Sequence, residues 1–239
     1  MLSVNSNYSS QFAANAARNT QNLMDKSVER LSTGMRINSA KDDAAGLAIS
    51  MRLNAEIQGL AMASRNAADG QSMIDTAEGA LQETTSLLLR MRELAVQASN
   101  GTLAQVDRDV IHLEAHLLED EIDRIARNTS WGGILLLEES LATGVKFQTG
   151  TRSGETITVS MPDIRTDAGG FHTLRIADIN LNAFSAAQTA VTRLDGALSD
   201  VNAERGKLGA ASNRLDSTIA NLNQVRVNLS ASKGRIEDA

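Results

Sequence analysis

Leu53, Leu60, Ala67, Ile74, Leu81, Leu88 and Ala95 recur every seven residues without a slip, and near the other end Leu194, Val201, Leu208, Leu215, Leu222, Leu229 and Ile236 do the same. A strict seven-residue apolar period specifies helices that wind around one another with a left-handed supercoil. Three residues beyond six of the first set stand Glu56, Ala63, Gly70, Ala77, Thr84 and Met91, most of them small, so the helices are expected to approach closely. The first helix is read as Ala44 to about Ser99, roughly 80 Å at about 1.5 Å per residue. The second runs from about Asn182 to Ala239. Two such helices near opposite ends of one chain are best explained by pairing with each other. The fold class read from the sequence is therefore mostly α, an elongated antiparallel helical bundle or coiled coil with a small β-hairpin region.

Composition supports this. The single proline, Pro162, leaves the helices uninterrupted. Aromatic residues make up 3% of the chain, few for a globular core but sufficient for a thin bundle packed with Leu and Ala. The formal charge of −6 comes with no Lys/Arg cluster, which argues against nucleic acid as a partner. No apolar run reaches the length of a transmembrane helix, so no membrane insertion is expected. MLSVNSNYSSQF lacks the basic and apolar regions of a cleavable signal. With no cysteine there is no disulfide scaffold, thiol chemistry or cysteine-rich zinc site.

Three regions follow. Residues 1–43 form an N-terminal arm whose sparse apolar positions, Phe12, Leu23, Val28 and Leu31, suggest a helix that is disordered or depends on a partner. A break falls at Thr33–Asp43, where Ser39, Asp42 or Asp43 is placed to cap the next helix. Residues 44–129 with 181–239 form a helical rod. Its second helix, from about Leu103 to Asn128, follows a short turn at Asn100–Gly101 that favours an antiparallel neighbour. Val106, Val110, Leu113, Leu117, Ile122 and Ile125 read as its apolar side. Residues 130–180 alternate like strands at Val145–Phe147 and Thr156–Ser160, with a turn at Gly150–Gly154, and read as one or two hairpins.

The N-terminal third also carries a resemblance. Residues 27–49, SVERLSTGMRINSAKDDAAGLAI, resemble the flagellin signature, and residues 63–71, 76–81, 91–97 and 121–125 continue it. Asn213-Arg-Leu215 and residues 230–239 match near the other end, so the likeness covers roughly four fifths of the chain. It implies a structural, non-enzymatic subunit of the bacterial flagellar filament, with no cofactor. It implies localisation outside the cell, with other flagellin subunits, the export apparatus, a chaperone and a cap protein as partners. Flagellins usually continue past Ile236-Glu-Asp-Ala239 into a further C-terminal helix. On this resemblance the extreme C-terminal helix is missing, and residues 1–33 lack the partner that helix supplies. At Trp131-Gly-Gly-Ile-Leu-Leu136 flagellins usually carry phenylalanine and Asn-Gly; the turn itself is expected to persist. A hook–filament junction protein and a secreted surface adhesin are the alternatives.

The resemblance also points to a surface read by the flagellin-sensing Toll-like receptor of animals. Arg90, Leu94 and Glu114 match it residue by residue, and Leu89, Glu93 and Gln97 complete the set. Arg90 and Leu94 are i and i+4 and share a helix face. The heptad directs Leu88, Met91 and Ala95 inward and leaves Arg90 and Leu94 near its edge, so both are expected to be exposed. A second constellation is His112-Leu-Glu-Ala-His116, with two histidines at i and i+4 and Glu119 on the same side, a spacing that can hold zinc. It is not the H-E-x-x-H pattern, and Glu114 lies about 200° around the helix from either histidine. A solvated helix face is the simpler reading. With His172 the chain has three histidines, and they do not suggest a catalytic triad; no phosphate-binding or nucleophile-elbow motif occurs.

Overall fold

The computed structural model describes residues 7–138, 141, 143–166, 176 and 179–238. Residues 1–6 of the arm, His172 with the rest of 167–175, and Ala239 lie outside the described residues. The elements in chain order are α1 (Tyr8–Thr33), α2 (Ala44–Ala98), α3 (Gln105–Asn128), β1 (Ser130–Trp131), β2 (Ile134–Leu135), β3 (Val145–Gln148), β4 (Thr156–Val159) and α4 (Phe184–Glu237). They fall into two compact units. One comprises Met1–Ala61 and Asn223–Ala239, the other Met62–Leu222.

In the first unit, α1 begins where the Asn7 side chain accepts from the Ser10 N–H (3.0 Å) and ends at Gly34, whose left-handed φ of 70° lets its N–H reach the Arg30 carbonyl (2.8 Å). None of its residues is buried, and Phe12, Leu23, Val28 and Leu31 are exposed. The break after α1 is a built turn. Asp42 accepts from the backbone N–H groups of Asn38 and Ser39 (3.2 Å each) and pairs with Lys26 of α1 (2.8 Å). Asp43 caps α2 by accepting from the Gly46 N–H (2.8 Å). Ile37 is buried beside this cap. The end of α4 closes the unit. Arg36 N–H donates to the Glu237 carbonyl (2.6 Å), its guanidinium to the Ile236 carbonyl (2.8 Å), and Ser50 hydroxyl to the Glu237 carboxylate.

The Lys26 ammonium, followed by the turn's own N–H groups, holds the Asp42 carboxyl at a pKa of about 2, below its ordinary value. A depressed carboxyl contributes stability above its unfolded pKa and loses it as pH falls through the folded value. The Asp42 contribution is therefore nearly complete above about pH 4 and mostly lost by about pH 2. Asp42→Asn is expected to weaken α1 against the turn at pH 6 but to match the parent at pH 2, read as the difference in helical melting by circular dichroism.

In the second unit the two heptad rows meet. Ala67, Ile74, Leu81, Leu88 and Ala95 of α2 and Leu194, Val201, Leu208, Leu215 and Leu222 of α4 are all buried. Their direction is fixed by polar pairs along the seam: Gln71 to Asp216 (2.5 Å), Glu78 to Arg205 (2.6 Å) and Arg92 to Asp195 (2.5 Å). Partner numbers on α4 fall as those on α2 rise, so the helices run antiparallel. Gly70 admits Phe147 and Leu215 to the α2 backbone, as the small companion positions suggested: a Cβ there would stand 3.2 Å from the Phe147 ring and 3.3 Å from Leu215.

Two antiparallel hairpins complete this unit. β1 and β2 pair Ser130 with Leu135 and Trp131 with Ile134 around Gly132 and Gly133, whose φ angles of 59° and 84° suit a tight two-residue turn. The turn expected at Trp131-Gly-Gly-Ile is thus present. β3 and β4 pair Val145–Gln148 with Thr156–Val159, and Phe147, Ile157 and Val159 point into the core.

α3 differs from expectation. Its buried residues are Ile111, Ala115, Glu119, Ile122 and Ala126, whereas Val106, Val110, Leu113 and Leu117 are exposed. At about 100° per residue the two rows lie on opposite sides of the helix. Of the six residues read from the sequence as the packing side, Val106, Val110, Leu113 and Leu117 face outward, while Ile122 is buried as expected and Ile125 is half-buried. The side that packs alternates isoleucine with alanine, and Ala115 and Ala126 let α3 sit close to its neighbours there.

Candidate receptor-facing surface

Arg90 lies on α2 where α3 runs alongside. Its Nε and Nη2 donate to the Glu114 carboxylate of α3 (3.1 and 2.7 Å), and Nη1 donates to Glu93 one turn ahead (3.1 Å). Glu114 first, then Glu93, raises the guanidinium pKa above its ordinary value. All three side chains are exposed, so these pairs position charge more than they stabilise the fold. Leu89, 49% exposed, and the exposed Gln97 stand on the same outward arc of α2.

Leu94 does not. It is 1% exposed and belongs to the core, contrary to the exposure expected from the heptad. A two-helix seam would have left it at the edge. Here α2 is flanked by two helices: Arg92 pairs with Asp195 on α4, and Arg90 with Glu114 on α3. The buried arc widens from a seam to include Leu94 and Ala98.

The histidine pair is arranged differently from the zinc reading. The His112 and His116 rings meet edge-on, 6.5 Å apart, and His116 Nδ1 stands 3.5 Å from Asp120 rather than beside Glu119. Glu119 is buried on the core face of α3. The Nδ1 of His112 is buried with no hydrogen-bond partner. Among the described residues no group of three or more His, Cys, Asp and Glu side chains is arranged to hold a metal ion.

Comparison with known proteins identifies the family to which the chain belongs. Residues 4–143 match the family described as the bacterial flagellin N-terminal helical region, and residues 191–239 match the bacterial flagellin C-terminal helical region. Flagellin C of Vibrio cholerae is 48% identical over 166 residues, covering 70% of this chain and 44% of that protein. Polar flagellin F of Vibrio parahaemolyticus is 44% identical over 173 residues, covering 71% of this chain and 46% of its own length. The chain thus spans under half the length of these relatives. Among solved structures, Bacillus cereus flagellin superposes with a TM-score of 0.57 at 34% identity, covering 66% of this chain and 88% of that one. A putative flagellar hook-associated protein from Vibrio parahaemolyticus superposes at 0.68 with 19% identity, covering 82% of this chain and all of its own, a likeness of fold alone. The first family match alone covers more than half of the sequence, and this chain belongs to the bacterial flagellin family.

Proposed function

We propose that the chain is a structural subunit of the bacterial flagellar filament, located outside the cell and serving motility. The observation that carries this reading is that the family's N-terminal and C-terminal regions are both present. In this reading residues 1–43 act as the filament-core arm, 44–129 with 181–239 as the rod, and 130–180 as the rod's hairpin region. Neighbouring subunits join by a heterologous contact that does not close, which yields a filament. The export apparatus, a chaperone and the cap protein are its partners on the way out. Expression in a flagellin-deficient flagellated bacterium is expected to give filaments containing the chain. Secretion of monomers only, with bare hooks, would contradict the proposal.

We further propose that the face around Arg90 is recognised by the flagellin-sensing Toll-like receptor of animals. Arg90 and Glu114 are exposed and already held in register, with Glu93, Leu89 and Gln97 beside them. Preassembled Arg-centred clusters of this kind suit an interface hot spot. Leu94 serves from below, setting the α2 backbone rather than touching the receptor. Arg90→Ala is expected to reduce receptor signalling by about tenfold or more, the loss of one hot-spot contact, with helical content unchanged. Signalling equal to the parent would remove the assignment.

A further inference from the structure

Asparagine followed by glycine occurs once in the chain, at Asn100–Gly101 in the turn between α2 and α3. In a folded protein an asparagine side chain is kept from reacting with the next peptide by burial, by a side chain on the following residue, or by a following N–H locked in a hydrogen bond. None of the three operates in this turn. Asn100, Gly101 and Thr102 are exposed. A Cβ on Gly101 would meet nothing within 4 Å, so this peptide has room to rotate. The Gly101 N–H makes no hydrogen bond among the described residues. The comparable pairs Asp69–Gly70 and Asp195–Gly196 lie inside α2 and α4, where the helical ladder holds the glycine N–H.

The turn also polarises both reacting groups. Asn100 Oδ1 accepts from the Thr102 N–H (3.1 Å) and the Thr102 hydroxyl (3.0 Å). Two donors on a carbonyl oxygen draw electrons from its carbon and stabilise the charge that an attacking nucleophile puts there. The main-chain carbonyl of Asn100 accepts from the Leu103 N–H (3.3 Å) and from the Arg108 guanidinium (2.9 Å), and Arg108 also reaches the Ala98 carbonyl (3.1 Å). That Asn100 oxygen belongs to the peptide bond whose nitrogen is Gly101. When the Gly101 N–H loses its proton, the negative charge spreads onto this oxygen, and a guanidinium bonded to it favours the loss. Thr102 therefore acts on the electrophile and Arg108 on the nucleophile.

We propose that Asn100–Gly101 is a self-modifying site, at which the folded chain converts the Asn100 amide to a carboxylate. Base removes the Gly101 amide proton, the nitrogen bonds to Asn100 Cγ, and the Cγ–Nδ2 bond breaks, with ammonia leaving on a proton from water. Water then adds to one carbonyl of the five-membered imide, and the ring opens there. Opening at the side-chain carbonyl leaves an aspartyl residue at position 100; opening at the main-chain carbonyl leaves an isoaspartyl one. The sum is amide plus water to carboxylate plus ammonia, with no oxidant or reductant. Each event places a negative charge at the C-terminal end of α2, where the helix dipole disfavours it and Arg108 offsets it. In the isoaspartyl product the carbonyl that Arg108 holds becomes the free carboxylate, and the connection between α2 and α3 is longer by one methylene.

The test is peptide mapping by mass spectrometry of the full folded chain during incubation at mildly alkaline pH, beside a sample unfolded in guanidinium chloride. The expected result is the mass gain of NH2 replaced by OH, concentrated in the peptide that carries Asn100, at a folded rate within about tenfold of the unfolded one. A folded rate lower than that shows that the turn protects Asn100 and overturns the proposal. Modification spread evenly over the asparagines overturns it as well. Gly101→Ala is expected to slow the reaction by about tenfold or more in both samples. Arg108→Gln separates the turn from the dipeptide: it is expected to slow the folded chain severalfold, at parental helicity, and to leave the unfolded chain unchanged. A parental folded rate in Arg108→Gln overturns the assistance assigned to the turn.

Discussion

Leu88→Ala lowers the stability of the unit formed by Met62–Leu222 by about 2–5 kcal/mol, the range for removing a fully enclosed leucine side chain. Leu88 has no solvent exposure and lies in the α2 row that meets α4. The loss combines the transfer of the missing methyl groups with the cavity they leave, because helices tied along the seam by Arg92–Asp195 and Glu78–Arg205 cannot simply collapse inward. The measurement is available without labelling. Trp131 is the single tryptophan, and it packs against this core from β1. Its fluorescence follows this unit, and with a urea slope of about 1–3 kcal/mol per molar the midpoint should fall by roughly 1 M or more. A midpoint within experimental scatter of the parent would mean that the heptad rows are not packed as described.

The second large effect is expected at Gly70, and there the direction depends on the size of the replacement. Gly70→Leu has no space to occupy, because Phe147 of β3 and Leu215 of α4 already lie within tight contact of where a Cβ would stand. Overpacking of this kind costs about 1–3 kcal/mol or more, and here it also pushes the β3–β4 hairpin away from α2. Gly70→Ala presents only a Cβ, which the neighbours must yield to by a few tenths of an ångström. Against that cost stands the helix propensity of alanine, about 1 kcal/mol better than glycine in a helix interior. The alanine variant is therefore expected to be near neutral and the leucine variant clearly destabilised in the same fluorescence assay. Equal effects from both would show that Gly70 is retained for a reason other than close approach.

Much of this architecture was legible in the sequence. The heptads identified α2 and α4 because a seven-residue period over so many turns has few other physical solutions. The turn before α2 was legible from its polar residues, and the structure selects Asp43 as the cap, with Asp42 bracing the turn from within. The hairpins followed from alternation and glycine placement. What could not be read was which side of a helix faces the core when a third helix is present. Leu94 is edge-like for a pair and buried for a trio. On α3 the larger stripe was the natural choice for the packing side, yet close packing is provided by Ile111, Ala115, Ile122 and Ala126, with Glu119 buried among them. Periodicity reports that a stripe exists; the thickness of the neighbouring layer decides which stripe is used. The Arg90 cluster was named from resemblance. Its hydrogen bonds to Glu114 and Glu93 depend on how α3 is rotated against α2, and no spacing rule supplies that rotation.

The central claim is that this chain is built into the flagellar filament. It is tested most directly by shearing filaments from the bacterium that makes it, washing them, and identifying their subunits by mass spectrometry. The account predicts peptides from both the α2 and α4 segments in the filament fraction, at a level showing incorporation along its length. Their absence from washed filaments, with the chain recovered only from the cell or the surrounding medium, would contradict it.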